Sequence, residues 1–363
     1  MQSLLKKTET LYERYEKHIS SFALVVGFIF DNLTIRRIDL LFENLTIVSY
    51  LVISGGSIIA LNYYQEHPPR RSFFVRVQNF LSLFIQFAFG GLFSAFFVFY
   101  TRSATLSSSW PFVSILLFLL IGNEFFREHY QKIAFQVSIY FVAIFSFSIF
   151  FVPVLLKTMG VVVFMLSGVV SLSFIFLFSK LLFKIVPNRY RESRINLRNA
   201  ILFIFILINV LYFSNLIPPI PLSLKDAGVY YSVERVGEDY RAVGERKTWY
   251  ERIPLVLEVI HLKKGASLYV FSSVFAPTDL DTNIVHDWQY FDQAMGKWVS
   301  VTRITFSIEG GRGEGYRGFS KKEGLFAEKW RVDVKTERDQ IIGRVRFDVR
   351  TQSSELRFEE KIL

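Results

Sequence analysis

Seven long apolar runs follow one another through the first 217 residues, and only short polar segments separate them. A helix needs about 20 mainly apolar residues to cross the hydrocarbon core of a bilayer. That length rule predicts a seven-span transmembrane domain at residues 19–217, preceded by an amphipathic N-terminus at 1–18. The predicted spans are 19–35, 43–64, 78–101, 109–126, 133–156, 160–182 and 198–217, and the third has an alternative start at Phe73, with its first turns in the membrane interface. A chain with 51% hydrophobic residues is also too apolar for one soluble globule.

Lysine and arginine are unequally distributed between the two sides of this predicted domain. If the N-terminus is cytoplasmic, the cytoplasmic segments hold 15 of these residues and the opposite side holds 4. Cytoplasmic loops are enriched in Lys and Arg, so this bias sets the orientation. We therefore expect a bacterial inner (cytoplasmic) membrane protein with a cytoplasmic N-terminus and a periplasmic C-terminal domain. This side assignment depends on an odd number of spans.

A proline-rich linker at 218–224 separates the spans from a hydrophilic domain at 225–363. Three prolines in four positions end the last helix and favour a stiff, extended connector. Beyond it, apolar and polar residues alternate with period two, as they do for Trp330, Val332 and Val334. Seven or eight short antiparallel strands are expected, which is typical of an all-β, sandwich-like domain. The glycine-rich segment at 309–315 is expected to be a long hairpin loop.

Charge and composition exclude several functional classes. Residues 1–224 carry a net charge of +9 and residues 225–363 a net charge of +1, so the basic pI reflects the membrane loops. We therefore expect no nucleic-acid partner. The chain has no cysteine, and its five histidines show no metal-ligand spacing, so neither a metal nor a cofactor is expected. No catalytic motif sits in a suitable context, and the sequence favours a protein that is not an enzyme.

A charged repeat lies at the outer boundary of the first two spans. Residues 30–35 (FDNLTI) recur as residues 42–47 (FENLTI), and the candidate cluster comprises Asp31, Arg36, Arg37, Asp39 and Glu43. Charges at a membrane boundary usually pair, because an isolated charge there is costly. The cluster is therefore either a salt-bridged structural cap or a site for an ion, a lipid headgroup or a lipid-linked substrate.

A histidine and a tryptophan in the β domain allow two interpretations. His286 and Trp288 lie on one face of a predicted strand. They are either a core tryptophan with a hydrogen-bonded histidine, or part of a binding platform that includes Tyr290, Trp298, Tyr316 and Phe319. Aromatic faces with interspersed arginines suit glycan ligands, but aromatics also fill the core of a small sandwich.

Four segments of this domain carry a resemblance to a known family: 275–280 (FAPTDL), 284–288 (IVHDW), 316–322 (YRGFSKK) and 329–334 (KWRVDV). The chain resembles an uncharacterised family of bacterial multi-pass membrane proteins that end in a small β domain of unknown function. That domain carries His-x-Trp, Arg-x-x-Ser-Lys and Trp-x-Val motifs, and Tyr316 stands where relatives often have tryptophan. The family label implies no activity. The candidate binding residues are His286, Trp288, Tyr316, Arg317, Ser320, Lys321 and Trp330.

These observations favour an integral membrane protein, in contact with the lipid bilayer, whose periplasmic β domain binds or scaffolds an envelope protein or a glycan polymer. One alternative is a transporter or channel component that uses the helical bundle. A second alternative is a membrane enzyme that acts on lipid-linked substrates through the cluster around Asp31 and Arg36.

Overall fold

The chain forms two compact units, one helical and one made of β-strands. The helical unit contains most residues up to Ser214, and the β unit contains chiefly residues 215–363. The computed structural model describes residues 41–68, 72–102, 106–126, 129–218, 222–237, 239–246, 257–263, 266–276, 281–309, 315–351 and 358–363.

The helical unit contains six described α-helices and a short 3-10 helix at His129–Gln131. The α-helices are α1 (Leu41–Glu66), α2 (Ser72–Arg102), α3 (Leu106–Phe125), α4 (Ile133–Leu156), α5 (Val161–Ile185) and α6 (Pro187–Phe213). Of these, α1, α2, α4, α5 and α6 are long and apolar enough to cross a membrane, and α3 holds a shorter apolar stretch. The described residues thus contain five such helices rather than seven, and the predicted span 19–35 lies outside them.

Helix α6 begins earlier than the apolar run that predicted it. It starts at Pro187, directly after the single connecting residue Val186. Helix α2 starts at Ser72, next to the alternative start at Phe73. Proline suits the first helical position, because its fixed φ is helical and its missing N–H needs no partner there. Length rules based on apolar residues miss such charged first turns, since they belong to the helix but not to the membrane core.

Glycines allow close packing of the helices. A Cβ atom added at Gly91 in α2 would lie 2.7 Å from the ring of Tyr50 in α1. A Cβ atom at Gly168 in α5 would lie 3.2 Å from Phe205 in α6. Small residues at these points let aromatic rings of the neighbouring helix approach the backbone.

Buried amides connect the helices through hydrogen bonds. The Asn62 Nδ2 in α1 donates to the Gln136 Oε1 in α4 at 2.5 Å. The Tyr130 hydroxyl donates to the Asn123 Oδ1 at 2.5 Å, and the Asn123 Nδ2 donates to the Gln86 backbone carbonyl at 2.9 Å. Polar side chains inside a helical bundle are stabilised when they pair in this way. Asn62, Asn123 and Gln136, which interrupt the apolar runs, therefore act as interhelical contacts.

The β unit contains eleven described strands in three sheets. The strands are β1 (Ser223–Tyr230), β2 (Ser232–Val236), β3 (Asp239–Glu245), β4 (Glu258–Leu262), β5 (Leu268–Phe275), β6 (Asp281–Asp292), β7 (Lys297–Glu309), β8 (Tyr316–Lys322), β9 (Glu328–Thr336), β10 (Ile341–Thr351) and β11 (Phe358–Ile362). The five-stranded sheet has the order β4-β10-β9-β6-β7, the inner sheet β1-β5-β8 and the small sheet β11-β3-β2.

Three details of the topology differ from the sequence prediction. Strand β4 pairs with β10 in parallel, so the sheets are not all antiparallel. Strand β1 begins at Ser223, inside the predicted linker, and pairs with β5 from its first residue. Strands β7 and β8, on either side of the glycine-rich segment, belong to different sheets and do not form the predicted hairpin, and residues 310–314 between them lie outside the described residues. Local composition identifies a turn, but the partner of each strand is set by distant residues.

The inner sheet is covered on both faces. Between it and the five-stranded sheet lies an apolar core that includes Val270, Trp288, Trp330 and Phe347. On its other face, Phe271 packs with residues of the small sheet. The alternation of apolar residues along the strands produces this layering, since neighbouring side chains point to opposite faces of a sheet.

Candidate functional site

A buried chain of hydrogen bonds joins the inner sheet to the five-stranded sheet at His286. The His286 Nε2 lies 2.8 Å from the Ser272 Oγ of β5, and its Nδ1 lies 2.8 Å from the Ser320 Oγ of β8. His286 itself is on β6, and all three residues are buried. One imidazole thus connects strands of two sheets.

The indole N–H of Trp288 extends this chain. It donates to the Ser320 Oγ at 3.0 Å. In a neutral imidazole one ring nitrogen donates and the other accepts, so His286 donates to one of the two serine hydroxyls and accepts from the other. Burial lowers the pKa of His286 to about 3. The ring is therefore neutral at physiological pH and every ring nitrogen has a partner, which suits a structural connection between the sheets.

The other residues of the predicted binding set lie in different places. The buried Trp330 donates its indole N–H to the Phe326 carbonyl at 3.1 Å. The Arg317 guanidinium bonds the Asp239 carboxylate at 2.9 Å and the Leu363 carbonyl at 3.1 Å. The Lys321 ammonium pairs with Glu323 at 2.6 Å on the surface.

Tyr316 is half-buried against the apolar cluster around Val274 and Ile284. Four of the seven residues are thus in the interior, namely His286, Trp288, Ser320 and Trp330. The other three, Tyr316, Arg317 and Lys321, do not share one surface with them. The binding role of this set stays a prediction.

The members of the predicted aromatic platform are also separated. The ring of Tyr290 lies 5.0 Å from that of Phe326, beside the core. The ring of Phe319 lies 6.0 Å from that of Tyr240, on the side of the inner sheet that the small sheet covers. Trp298 is on the opposite, outer side of the five-stranded sheet.

That outer side carries a network of charged residues, here called the charged face. At its centre, Asp287 of β6 is directly opposite Asp333 of β9. These residues are 2% and 1% exposed. Two carboxylates this close repel each other, so neither is stable there without a cation. The Lys335 Nζ lies 2.5 Å from the Asp287 carboxylate, and the Arg344 guanidinium bonds Asp333 at 2.5 and 2.9 Å.

The environment of Asp287 keeps its carboxylate ionised. Burial alone would raise its pKa, but hydrogen bonds from Lys335, Ser300 and Gln289 hold the pKa below its ordinary value. The donors from Ser300 and Gln289 each lie 2.5 Å from a carboxylate oxygen. The centre of the charged face is thus a rigid, fully paired array rather than a set of mobile surface charges.

An aromatic residue borders this array. The Arg331 guanidinium lies 4.4 Å from the centre of the Trp298 ring, and its Nε donates to the Gln289 Oε1 at 2.8 Å. The Phe291 ring packs edge-on against Trp298 at 5.3 Å. The sequence contained a signal for this face, since charged residues alternate with the core residues of β9, but Asp287 and Asp333 were not selected as candidates.

The predicted membrane-boundary cluster is largely outside the described part of the chain. Asp31, Arg36, Arg37 and Asp39 lie outside the described residues, and Glu43 lies on α1 without a described side chain. Among the described residues, no group of three or more His, Asp or Glu could hold a metal ion.

Apolar helices followed by a separate β domain define a membrane protein with an extramembrane domain. Residues 281–349, from β6 to β10, match the family described as "Protein of unknown function (DUF2914)". This match confirms that the C-terminal β region contains a domain of unknown function. It includes His286, Trp288 and Ser320 of the buried hydrogen bonds but not Ser272, and it includes Asp287, Asp333 and Arg331 of the charged face. No curated protein matches the chain.

Two solved structures are similar to parts of the chain. One is an immunoglobulin-like protein from Pseudomonas aeruginosa, 14% identical, which covers 36% of this chain and 96% of its own, with a TM-score of 0.22. The other is the Pseudomonas fluorescens alkylpurine DNA glycosylase AlkC bound to DNA that contains an abasic site analog. It is 10% identical and covers 83% of this chain and 99% of its own, with a TM-score of 0.21. Neither likeness supports an argument about fold or function at these scores.

Proposed function

We propose that this chain is a seven-span inner-membrane protein whose periplasmic β domain binds a partner protein of the cell envelope through the charged face. The observation that carries this proposal is the pairing of Arg331 with Trp298 beside the ordered Asp287 and Asp333 array. The orientation rests on the excess of basic residues, 15 against 4, in the predicted cytoplasmic segments.

The residue types of this face are those that dominate protein interfaces. Tryptophan and arginine are enriched among the residues that contribute most binding energy. Here both side chains are already fixed, Arg331 by Gln289 and Trp298 by Phe291, so binding would cost little side-chain entropy. The face therefore presents a prearranged aromatic and cationic anchor.

The charge of the face indicates the chemistry of the partner. Its seven cations are Arg303, Lys329, Arg331, Lys335, Arg344, Arg346 and Arg350, and its five anions are Asp287, Asp333, Glu337, Asp339 and Asp348. Seven against five leaves a net charge of +2, which favours an acidic partner surface. A protein fits better than a glycan, because the ring face of Trp298 that a sugar would stack on is occupied by Arg331.

The histidine and serines of the core do not suit catalysis. His286, Ser272 and Ser320 have the residue types of a hydrolase, but all are buried and bonded to one another. A general base must come within hydrogen-bonding reach of the substrate proton, and this imidazole is enclosed between two sheets. This arrangement supports a binding role over an enzymatic one.

Site-specific photo-crosslinking in living cells tests the proposal. A photoreactive amino acid would replace Arg303, which is half-exposed on the charged face, or Arg241, an exposed residue of the small sheet that serves as the control. We expect a discrete protein adduct from position 303 and none from position 241. Arg346→Glu, about 15 Å away by strand spacing, should weaken the adduct by repelling an acidic partner.

Two results would contradict this function. Equal adducts from positions 303 and 241 would show that partner proteins do not bind preferentially at the charged face. An adduct that a peptidoglycan hydrolase removes and a protease leaves intact would assign a glycan instead of a protein.

A further inference from the structure

We propose that the groove between α5 and α6 binds one anionic phospholipid, with its phosphate at Arg194 and Arg198 and an acyl chain along the groove. The groove has a volume of about 730 Å³. Its long part is lined by apolar side chains such as Leu172, Phe176 and Ile201. Both helices are long and apolar enough to cross a membrane, and among the described residues Phe176 and Leu202 of the groove stay exposed.

The groove is formed by the way in which α5 and α6 meet. The helices are joined by the single residue Val186 at one end. Towards the other end they meet again where the rings of Phe164 and Tyr212 stack, with centroids 3.5 Å apart. Between these two points the helices leave an open groove, which Phe205 closes where it approaches Gly168.

The length of the groove matches one leaflet of a bilayer. From Arg194 to Phe205 along α6 the distance is about 17 Å, at a rise of about 1.5 Å per residue. The hydrocarbon core of a bilayer is about 30 Å thick, so one leaflet contributes about 15 Å. An acyl chain that starts at the arginines would therefore end near Phe205.

The charges at the start of the groove complement a phosphate. Arg194 and Arg198 are one helical turn apart, on the same side of α6, and both line the groove. Among the residues that the structure describes, neither has a carboxylate partner. The nearby Glu66 carboxylate is already bonded to Asn188 and the Arg189 backbone. Basic pockets between membrane helices are typical sites for anionic headgroups, and guanidinium groups match phosphate oxygens.

The side chains around the two arginines add hydrogen-bond donors. Ser179 of α5 and Tyr190 of α6 also line the groove. Their hydroxyl groups are suited to headgroup oxygens. A free phosphate would use the arginines but not the apolar part of the groove, whereas a phospholipid uses both.

A binding experiment with the full-length, delipidated protein in detergent tests the site. The probe is dioleoylphosphatidylglycerol, the reference lipid is dioleoylphosphatidylcholine, and native mass spectrometry measures the bound fraction. The double variant Arg194→Gln, Arg198→Gln should weaken phosphatidylglycerol binding about 25-fold, since each cation near a headgroup contributes about fivefold. The double variant Lys184→Gln, Arg191→Gln removes the same charge outside the groove, and we expect less than about a twofold change.

A third variant separates the groove from general surface attraction. Ser173 lies at the exposed side of the groove, and Ser173→Phe fills the acyl-chain part without changing any charge. We expect about tenfold weaker phosphatidylglycerol binding, because the phenyl ring displaces methylene groups from apolar contact. Size-exclusion elution like that of the wild type verifies that each variant is folded.

Three outcomes would overturn the inference. If the Lys184 and Arg191 variant is as weak as the Arg194 and Arg198 variant, the attraction is a general property of the basic surface. If Ser173→Phe binds normally, the acyl chain does not occupy the groove. If the delipidated wild-type protein is an oligomer that binds neither lipid, a second copy of the chain occupies the groove instead.

Discussion

The substitution Ser320→Ala tests whether the buried hydrogen bonds at His286 hold the two sheets together. Alanine removes the oxygen that accepts the Trp288 indole N–H at 3.0 Å and contacts the His286 Nδ1 at 2.8 Å. Both partners stay buried, so neither can bond to water instead. A backbone rearrangement would be needed to supply a new partner.

The magnitude follows from the number of groups that lose a partner. A buried donor or acceptor without a partner costs about 1–3 kcal/mol, and this substitution leaves two of them. We therefore expect the free energy of unfolding of the β unit to fall by about 3 kcal/mol. That is a large fraction of the 5–15 kcal/mol that is typical of a whole domain. It corresponds to a roughly 100-fold increase in the equilibrium opening of β6.

Native-state hydrogen exchange of the full-length protein in detergent measures this change. The backbone amides of β6 that pair with β9 should exchange roughly 100-fold faster in Ser320→Ala than in the wild type. The matched control is Ser307→Ala in β7, which removes an exposed 2.7 Å hydrogen bond to the Asn283 Oδ1 of β6. Its effect should stay within about 0.5 kcal/mol. Equal exchange rates in the two variants would refute the structural role of the connection.

The same exchange measurement checks three further predictions. Trp330→Ala should lower the free energy of unfolding by about 3–5 kcal/mol, because the ring is buried. Trp298→Ala should lower it by only about 1 kcal/mol, because that ring is half-buried. Equal costs would contradict the core position of Trp330. Because burial lowers the pKa of His286 from 6.5 to about 3, only the unfolded state takes up a proton between these values. The free energy of unfolding should therefore fall by about 2 kcal/mol from pH 8 to pH 5, and His286→Phe should remove this contribution to its pH dependence. Lys335→Met should lower the free energy of unfolding by about 3 kcal/mol, because it leaves Asp287 without its cation. It should also raise the pKa of Asp287, as measured by NMR titration of the carboxylate.

The boundary between the membrane helices and the strands could be predicted, because apolar runs and period-two alternation are both local features of the sequence. Long apolar runs coincide with the helices from α1 to α6. In β9 the apolar Trp330, Val332 and Val334 lie in the core, and the alternating Arg331 and Asp333 lie on the charged face. Which residues share a face follows from the period of two and does not require knowledge of the partner strand.

Strand partners could not be predicted in the same way. The parallel pairing of β4 with β10 joins Glu258 to Phe347, residues far apart in the chain. The small sheet forms because β11 returns to β3, and Phe358 pairs there with Glu245. Such contacts depend on the global arrangement of apolar faces, so a local pattern cannot specify them.

The candidate site was predictable only in part for the same reason. His286 and Trp288 could be recognised as neighbours on one strand face, but Ser272 lies on a different strand of a different sheet. Asp287 lies between these two candidates in the chain and points to the opposite side of the sheet. Its role depends on Lys335 and Ser300, whose positions only the assembled sheet defines.

We propose that the β domain faces the periplasm while the N-terminus stays in the cytoplasm. The most direct measurement is a reporter enzyme that is active only outside the cytoplasm, fused either after Leu363 or before Met1. We expect activity for the fusion after Leu363 and none for the fusion before Met1. Activity of a cytoplasm-only reporter after Leu363 would place the charged face in the cytoplasm and contradict the proposed orientation.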